Sequence, residues 1–345
     1  MIGLKTPLAV ISDLYGLGVQ FRNGLYSSGL RRVHRLKRPV ISVGNLTLGG
    51  TGKTPTVIAL GRLLQEEGCL ISVLLRGYKG ENTGGPLLVS DGQSLLASSQ
   101  LAGDEAMVIV KNLPRAIVAV GKDRPRAGLY VEDRFSVGVH LLDDGFQHLG
   151  LHRDLNLLLV DATDPFGGDH PPPLGRLRES LEGMGRADAL LLTRCQPGRE
   201  YELVIERVRR FKPAIPCFRV GQRSAISSSE GLSLAGLEGR TVLAFAGIGN
   251  PAQFFDALET EGLKPAGTLS FPDHHRYSAR DVSRIKERCR EQGVETVVTT
   301  EKDVENFDPS ALDPLKLIVV KVTFVFEDVV GIRRILLNTV GLPVS

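Results

Sequence analysis

A glycine-rich segment follows the first strongly apolar run of the chain and carries the residue types that bind polyphosphate. Val40, Ile41 and Val43 predict a buried strand, and a helix-like stretch follows the loop. The loop consists of Thr47, Leu48, Gly49, Gly50, Thr51, Gly52, Lys53 and Thr54. Glycines let backbone N–H groups surround phosphate oxygens, the lysine neutralises the β and γ phosphates, and the threonine hydroxyl can bind Mg²⁺. These eight residues therefore predict a nucleotide site.

The loop departs from the usual G-x-x-x-x-G-K-[ST] pattern at its first position. Thr47 stands where that pattern has glycine, and glycines occur at 49 and 50 instead. The alternative interpretation is a tight strand-to-helix turn that leaves a lysine on the surface. The crowding of three glycines before Lys53 favours the nucleotide site.

Two adjacent aspartates, Asp143 and Asp144, end a later apolar run over residues 137–142. A carboxylate at a strand end suits Mg²⁺ coordination beside a bound nucleotide. An Asp-Asp-Gly sequence is also an ordinary turn signal. Together with the glycine-rich loop, the pair predicts a metal site.

Composition and charge restrict the class of protein. The 345 residues are enough for two domains, and the formal net charge of +3 is too small to indicate nucleic-acid binding by itself. The four cysteines have no CxxC spacing, which argues against a zinc site or a disulfide framework and favours a reducing, cytosolic compartment. Basic residues are instead concentrated near the N-terminus, at Arg22, Arg31, Arg32, Arg35, Lys37 and Arg38.

The N-terminal segment has two interpretations. Apolar residues recur at helical spacing just before the basic cluster, at Leu4, Leu8, Ile11, Tyr15 and Val19. A helix lying in a membrane interface beside anionic lipid has this pattern. A helix packed on the core of the protein has it too. No apolar run is long enough to cross a bilayer.

Apolar strands alternate with amphipathic helices along most of the chain. This alternation predicts a P-loop NTPase-type parallel sheet with helices on both faces, plus a smaller second α/β domain. The Ser- and Gly-rich residues 222–239 predict a linker. The predicted division is an interface segment at 1–35, a P-loop domain at 36–221, this linker, and a C-terminal domain at 240–345.

Several motifs resemble those of the tetraacyldisaccharide 4′-kinases of lipid A biosynthesis, and the resemblance covers nearly the whole chain. That family's phosphate loop also lacks the first standard glycine, so the threonine at position 47 agrees with it. The order and spacing of the motifs are highly specific in combination. They are VGNLTLGGTGKTP (43–55), RGYKG (76–80), AGDEA (102–106), LLDDGFQH (141–148), GRLRE (175–179), FAGIGNPAQFF (245–255), FPDHHRY (271–277) and TTEKD (299–303).

The resemblance implies a kinase that uses ATP and Mg²⁺ to phosphorylate the 4′-hydroxyl of a membrane-embedded acylated glucosamine disaccharide 1-phosphate. It also implies a cytoplasmic protein attached peripherally to the inner membrane of a Gram-negative-type bacterium. We expect no nucleic-acid partner and no obligate protein partner.

The resemblance further implies roles for individual residues. Lys53 and Thr54 would hold phosphate and metal, with Asp143 and Asp144 at the metal. Asp104 would be the general base and His274 its partner, facing each other when an interdomain cleft closes. Arg178 and Glu179 match charged active-site residues near the phosphates, whereas Arg76 and Arg124 receive no role. Without the resemblance, the residues favour Asp104 as part of an acidic helix start and His274 as part of a surface loop.

Two other functions compete with the lipid kinase. A nucleotide-dependent switch or metallochaperone would need a guanine-reading Asn/Thr-Lys-x-Asp segment, and residues 190–196 (LLLTRCQ) lack the required aspartate. A soluble small-molecule kinase would not need the basic, amphipathic N-terminus.

Overall fold

Twelve strands form one sheet in the structure, a computed structural model that describes residues 7–77, 84–196, 198–228, 241–260 and 262–343. The strands are β1 Val40–Asn45, β2 Ile71–Leu75, β3 Leu87–Asp91, β4 Ile117–Val120, β5 Val139–Asp143, β6 Leu155–Asp161, β7 Ala189–Thr193, β8 Cys217–Ser228, β9 Leu243–Ala246, β10 Gly267–Ser270, β11 Thr296–Thr300 and β12 Lys316–Phe326. Their order across the sheet is β10-β9-β11-β12-β8-β7-β6-β1-β5-β2-β4-β3. All pairs are parallel except β3 with β4 and β8 with β12.

Helices connect most of the parallel strands. They are α1 Pro7–Ser27, α2 Lys53–Glu66, α3 Ser99–Ala102, α4 Asp104–Asn112, α5 Arg124–Glu132, α6 Glu202–Arg209, α7 Pro251–Thr260, α8 Ala279–Gln292, α9 Glu301–Val304 and α10 Val329–Val340. Two short 3₁₀-helices span Leu181–Arg186 and Pro309–Leu312. Parallel strands require crossover connections of this kind, so the alternation of the sequence is the direct cause of the topology.

Helices cover both faces of the sheet, as predicted. In β2, Val73 packs into a core cluster that includes residues of α2 and α4, whereas its neighbour Leu74 packs into a cluster that includes residues of α5. Successive side chains of a strand point to opposite faces, so both faces must be shielded from water. This explains why strands such as β1 and β5 are buried along their whole length.

The central strand β1 sets the position of the chemistry. It pairs in parallel with β5 on one side and β6 on the other, and Val43 lies opposite Asp143. Ligands of open parallel sheets bind at the carboxyl ends of the strands. The loop after β1 and the aspartates after β5 therefore lie at the same edge, as the sequence predicts.

The predicted linker begins too early. Residues 222–228 belong to β8, which pairs with β12 from Val220↔Phe326 to Ser228↔Ile318. Ladder hydrogen bonds join backbone groups, so a serine-rich segment forms a strand once a partner strand lies beside it. Residues 229–239 lie outside the described residues. The division into domains stays a prediction, and one sheet runs through both predicted parts.

Candidate active site

The loop between β1 and α2 has a conformation that only glycine tolerates at its end. Gly52 has φ +87 and caps the N-terminus of α2. The ring of Phe324, from β12, packs so closely on Gly52 that a Cβ would lie 2.3 Å from ring carbons. A left-handed backbone and this contact together exclude a side chain. The loop is therefore held in shape by a strand from the C-terminal half of the chain.

Thr47, the departure from the usual loop pattern, has a structural explanation. It forms an isolated antiparallel β-bridge with Leu177, and the next N–H, of Leu48, donates to the carbonyl of Arg176 at 2.6 Å. Asn45 Nδ2 donates to the Thr47 carbonyl at 2.8 Å. Because Thr47 is paired in this way, its position does not require glycine. Residues 175–179 thus brace the outer side of the loop.

Lys53 folds back over the loop that precedes it. Its Nζ lies 3.4 Å from Asn45 Oδ1, 3.5 Å from the carbonyl oxygen of Gly49 and 3.7 Å from Asp144 Oδ1. A lysine in this position places its charge where the β and γ phosphates of a nucleotide would lie.

Thr54 and Asp143 touch each other at the edge of the loop. Thr54 Oγ1 donates to Asp143 Oδ2 at 3.0 Å, and Asp143 Oδ1 is buried with no partner in the described part of the chain. Burial raises the pKa of Asp143 to about 7, and the nearby carboxylates of Glu105 and Asp144 add to the shift. A buried carboxylate with an unused oxygen beside a hydroxyl is a donor set that Mg²⁺ fits.

Asp144 has different surroundings from Asp143. Arg178 Nη1 donates to both of its carboxylate oxygens at 2.9 Å, and Lys53 lies on its other side. Burial opposes ionisation, but the charges of Lys53 and Arg178 outweigh it and lower the pKa of Asp144. Asp144 therefore stays charged. Its contacts position the two cations, and its predicted role as a metal ligand stays a prediction.

Glu179 lies elsewhere than expected. Its side chain is 1% exposed and accepts hydrogen bonds from Asn23 of α1 at 2.8 Å, from Gln147 at 3.0 Å and from Arg186 at 2.7 Å. The residues that line the cleft include Arg178 but not Glu179. Arg178 and Glu179 are adjacent in sequence, but the backbone directs their side chains to opposite sides. Glu179 anchors α1 rather than facing the phosphates.

Asp104 and His274 are in direct contact. Nδ1 of His274 lies 3.0 and 2.9 Å from the two carboxylate oxygens of Asp104. Burial would raise the pKa of Asp104, but the hydrogen bond from His274 and the charge of Lys302 outweigh it and lower that pKa. The contact between the two residues is present in this structure, and its dependence on closure of the cleft stays a prediction.

Backbone geometry holds both members of this pair. Asp104 is the first residue of α4, directly after Gly103 with φ +88. His274 has φ +57, a left-handed conformation that is strained for a side chain with a Cβ. Its N–H donates to the carbonyl of Gly247 at 3.0 Å, which fixes the loop that carries it.

Sequence reasoning missed several residues at this site. Lys302 Nζ lies 3.2 Å from His274 Nε2, and Asn306 Nδ2 donates to Asp104 at 3.3 Å. Lys302 belongs to the TTEKD motif, which contributes to the resemblance without implying a role for this lysine. Asn306 follows the motif by three residues, and a carboxylate partner for it could not be read from spacing alone.

A second group missed by the sequence supports the phosphate loop from β6 and β7. Arg194 pairs with Asp161, and its Nη2 donates to the carbonyl of Gly50. Thr193 Oγ1 donates to the carbonyl of Thr51 at 3.2 Å. These hydrogen bonds fix the carbonyl groups of Gly50 and Thr51 and so set the orientation of the loop's peptide groups. Arg194 and Thr193 therefore support the loop, a role distinct from that of a ligand.

One cavity of about 720 Å³ unites these features. It is lined by the phosphate loop, Thr54, Asp143 and Asp144 on one side and by His274 and Lys302 on the other. Tyr15, Val19 and Arg22 of α1 lie at its wall, as do Arg76 and Arg124. The volume is within the range of small-molecule and cofactor sites.

Comparisons with known proteins agree over nearly the whole chain. A family model for tetraacyldisaccharide-1-P 4′-kinase matches residues 4–340. Tetraacyldisaccharide 4′-kinase of Geobacter metallireducens is 42% identical over 306 residues, which cover 88% of each chain. Its counterpart from Geobacter sulfurreducens is 41% identical over 304 residues, which cover 87% of this chain and 83% of the relative.

A solved structure extends the similarity to three dimensions. A crystal structure of the "apo" form of LpxK from Aquifex aeolicus in complex with ATP superimposes with a TM-score of 0.75 at 33% identity. The match covers 96% of this chain and 98% of that one.

Proposed function

The chain belongs to the tetraacyldisaccharide-1-P 4′-kinase family and is an ATP-dependent kinase of lipid A biosynthesis, and we propose that the cleft described above is where it phosphorylates its lipid substrate. The substrate is the disaccharide 1-phosphate precursor, and the acceptor is its 4′-hydroxyl. One observation carries the proposal: the phosphate-binding loop lines the same cavity as His274, which contacts the buried Asp104 from a distant part of the chain.

The phosphate-binding side of the cleft orients ATP. The loop at residues 47–52 surrounds the phosphates with backbone N–H groups, and Lys53 neutralises the β and γ positions. Thr54 and Asp143 would hold Mg²⁺, for which Asp143 has an unused buried oxygen. The metal would supply positive charge that offsets the negative charge developing on the phosphates. Asp144, itself held by Arg178, keeps Lys53 in place.

The opposite side of the cleft activates the acceptor. A sugar hydroxyl is a weak nucleophile near neutral pH, so a positioned base accelerates its attack. Asp104, ionised and 3% exposed in its side chain, accepts the proton of the 4′-hydroxyl. The hydroxyl oxygen then bonds to the γ-phosphorus while the bond from that phosphorus to the β–γ bridging oxygen breaks, and ADP leaves. His274 orients the carboxylate of Asp104.

The helix α1 supports attachment to the cytoplasmic face of the inner membrane. Its inner face is small and polar: Ser12 Oγ donates to the Pro171 carbonyl at 2.8 Å, and Asn23 donates to Glu179. Its large apolar side chains are 53–70% exposed instead, at Leu8, Ile11, Leu14, Leu17 and Phe21. An exposed apolar helix followed by a basic segment is typical of interfacial membrane binding.

This arrangement favours the membrane interpretation over core packing. Because α1 also lines the cleft through Tyr15 and Val19, a substrate held in the bilayer can reach the site without leaving the interface. No helix in the described part of the chain is long and apolar enough to span a bilayer.

Direct measurement of phosphoryl transfer tests the function. Purified protein, ATP labelled at the γ position, Mg²⁺ and tetraacyldisaccharide 1-phosphate in detergent micelles should give a labelled bisphosphorylated lipid. The matched acceptor control is the same lipid already phosphorylated at the 4′ position, which should take up no label.

A pair of lysine variants completes the test. Lys53→Ala should lower kcat by at least ~100-fold, as expected when a group that stabilises transferring charge is lost. Lys111→Ala, which removes an exposed lysine paired with Glu305, should leave kcat unchanged. Transfer to the lipid by the Lys53→Ala variant at the wild-type rate would contradict the assignment of the loop.

A further inference from the structure

Lys302 of α9 lies against the side of the His274 ring that faces away from Asp104. Its Nζ is 3.2 Å from His274 Nε2, whereas Nδ1 of the same ring is 2.9 Å from the nearer oxygen of Asp104. The imidazole therefore lies between an ammonium group and a carboxylate. The side chains of His274 and Asp104 are 8% and 3% exposed, so water does not separate these groups.

Two further carboxylates hold Lys302 in this position. Asp273 Oδ1 lies 3.4 Å from its Nζ and Glu105 Oε1 lies 3.8 Å away. Burial of Lys302 would lower the pKa of its ammonium, but the charges of Glu105, Asp104 and Asp273 outweigh burial and raise that pKa. Lys302 is therefore protonated at neutral pH.

The chemistry of an ammonium group restricts the protonation of the ring. An ammonium has only hydrogen-bond donors, so a nitrogen that it contacts must accept. If Nε2 accepts, the neutral ring carries its proton on Nδ1, where it points at Asp104. A proton on Nε2 would face the positive charge of Lys302 instead.

We infer that Lys302 is a positioning residue that fixes the Nδ1–H tautomer of His274 and so keeps His274 a donor to Asp104. This inference rests on the proposed function of the Asp104–His274 pair and specifies how the pair works. Because Nδ1 already holds a proton, His274 cannot accept a second one there. The proton taken from the 4′-hydroxyl stays on Asp104 during transfer.

Asp273 offers the competing arrangement. Its Oδ2 lies 3.7 Å from His274 Nε2, beyond hydrogen-bond distance but close enough to attract a positively charged ring. In that arrangement His274 would carry protons on both nitrogens, between two carboxylates. The shorter approach of Lys302 to Nε2 favours the neutral tautomer.

Nitrogen NMR distinguishes these states without any measurement of catalysis. In wild-type protein with ¹⁵N-labelled histidine, the His274 ring should show a protonated Nδ1 and an unprotonated Nε2 at pH 7.5. Lys302→Met removes the donor and should give a protonated Nε2 in a measurable fraction of molecules. Lys302→Arg retains a charged donor and should keep the wild-type signals. His274→Gln identifies the resonances.

Kinetics separate positioning from direct contact with substrate. Lys302→Met should lower kcat by at least ~10-fold and leave the KM for ATP within about twofold of the wild-type value. In a His274→Ala background, Lys302→Met should have little further effect, since residues that act through one another are not additive. Lys111→Met is the matched control, because this lysine bridges α4 to Glu305 and does not contact the ring.

Three results would overturn the inference. The first is a protonated Nε2 in the wild-type protein, and the second is unchanged ring signals in a folded Lys302→Met variant. The third is a full, additive loss from Lys302→Met in the His274→Ala background, which would make Lys302 a direct ligand of substrate. If the wild-type protein instead lacks lipid kinase activity while the ring signals follow the expectation, the proposed function fails and the tautomer assignment stands.

Discussion

His274 Nδ1 lies 2.9 Å from Asp104 Oδ2, although 170 residues separate the two in sequence. Asp104 begins α4, beside the phosphate loop, and His274 belongs to a loop after β10. Their contact joins the two predicted domains, and under the proposed function it lies where the acceptor hydroxyl loses its proton. Variants of these two residues therefore test the proposed site directly.

We expect Asp104 and His274 to act as one unit. Asp104→Ala and His274→Ala should each lower kcat by at least ~100-fold with little change in ATP binding, since each removes part of the base. The double variant should resemble the worse single variant, because coupled catalytic residues are not additive. The measurement is a double-mutant cycle in kcat, with a Mg²⁺ titration for each variant. Independent losses, or a shifted Mg²⁺ requirement for Asp104→Ala, would place Asp104 at the metal instead.

The raised pKa of Asp143 predicts a pH-dependent gain in stability from Asp143→Asn. Burial holds the pKa of Asp143 at about 7 in the folded protein, above its ordinary value of 3.8. Ionisation thus destabilises the folded state: the penalty begins above pH 3.8, grows until about pH 7 and is constant beyond. Without Mg²⁺ and ATP, the free energy of unfolding of the variant should exceed that of wild type at pH 8 by a few kcal/mol at most, with a higher melting temperature.

The comparison across pH provides the control. At pH 5 the gain from Asp143→Asn should be smaller, and Mg²⁺ should stabilise wild type but not the variant at pH 8. Asp133→Asn, at an exposed aspartate, should show neither effect. A gain that grows as the pH falls would have the wrong sign for this explanation.

The exposed apolar residues of α1 predict membrane binding that can be removed without unfolding the protein. Replacing Leu14, Leu17 and Phe21 together by Gln should weaken binding to anionic vesicles by at least ~10-fold, since each buries apolar area in the interface. ATP binding and the melting temperature should not change, because these side chains make no core. Vesicle flotation measures the effect. Leu203→Gln, at an 82%-exposed leucine of α6, is the control. Equal binding by the triple variant and this control would exclude α1 as the contact.

The support of the phosphate loop by Arg194 predicts a defect in ATP binding. Arg194→Ala removes the donor to the Gly50 carbonyl and leaves Asp161 without its partner. We expect the Kd for ATP, measured by calorimetry, to rise by about tenfold, as for the loss of one buried charged hydrogen bond. Arg209→Ala, which breaks an exposed pair with Glu202, should not change it. A drop in kcat with unchanged ATP affinity would show that Arg194 acts on the reaction rather than on the loop.

The sequence by itself predicted the sheet edge that carries the chemistry. Strands that are buried on both faces can be recognised from hydrophobic periodicity and composition. Local sequence pattern therefore predicts β1, β5 and β6 and the loop after β1. The rule that ligands gather at the carboxyl ends of parallel strands then placed Asp143 near Thr54. Their hydrogen bond of 3.0 Å agrees with that placement.

Local pattern was misleading where backbone pairing or side-chain direction decided the outcome. Residues 222–228 read as a linker because of their serines, yet the neighbouring strand β12 makes them part of β8. The family motif predicts Glu179 near the phosphates, yet its side chain is buried against α1. The face of α1 that packs on the protein carries small and polar residues. The sequence of the helix does not show which face packs, because that depends on the surface beneath it.

Only the tertiary structure brought the proposed base together with its neighbours. Asp104, His274 and Lys302 come from three separate elements, and the resemblance to a family named the first two without giving the reason for their contact. The distance between atoms depends on how β9, β11 and α9 pack against α4, which no spacing along the chain encodes. Sequence patterns report local burial and backbone conformation, because those depend on near neighbours. Contacts between distant side chains arise from the packing of whole elements, so they are decided in three dimensions.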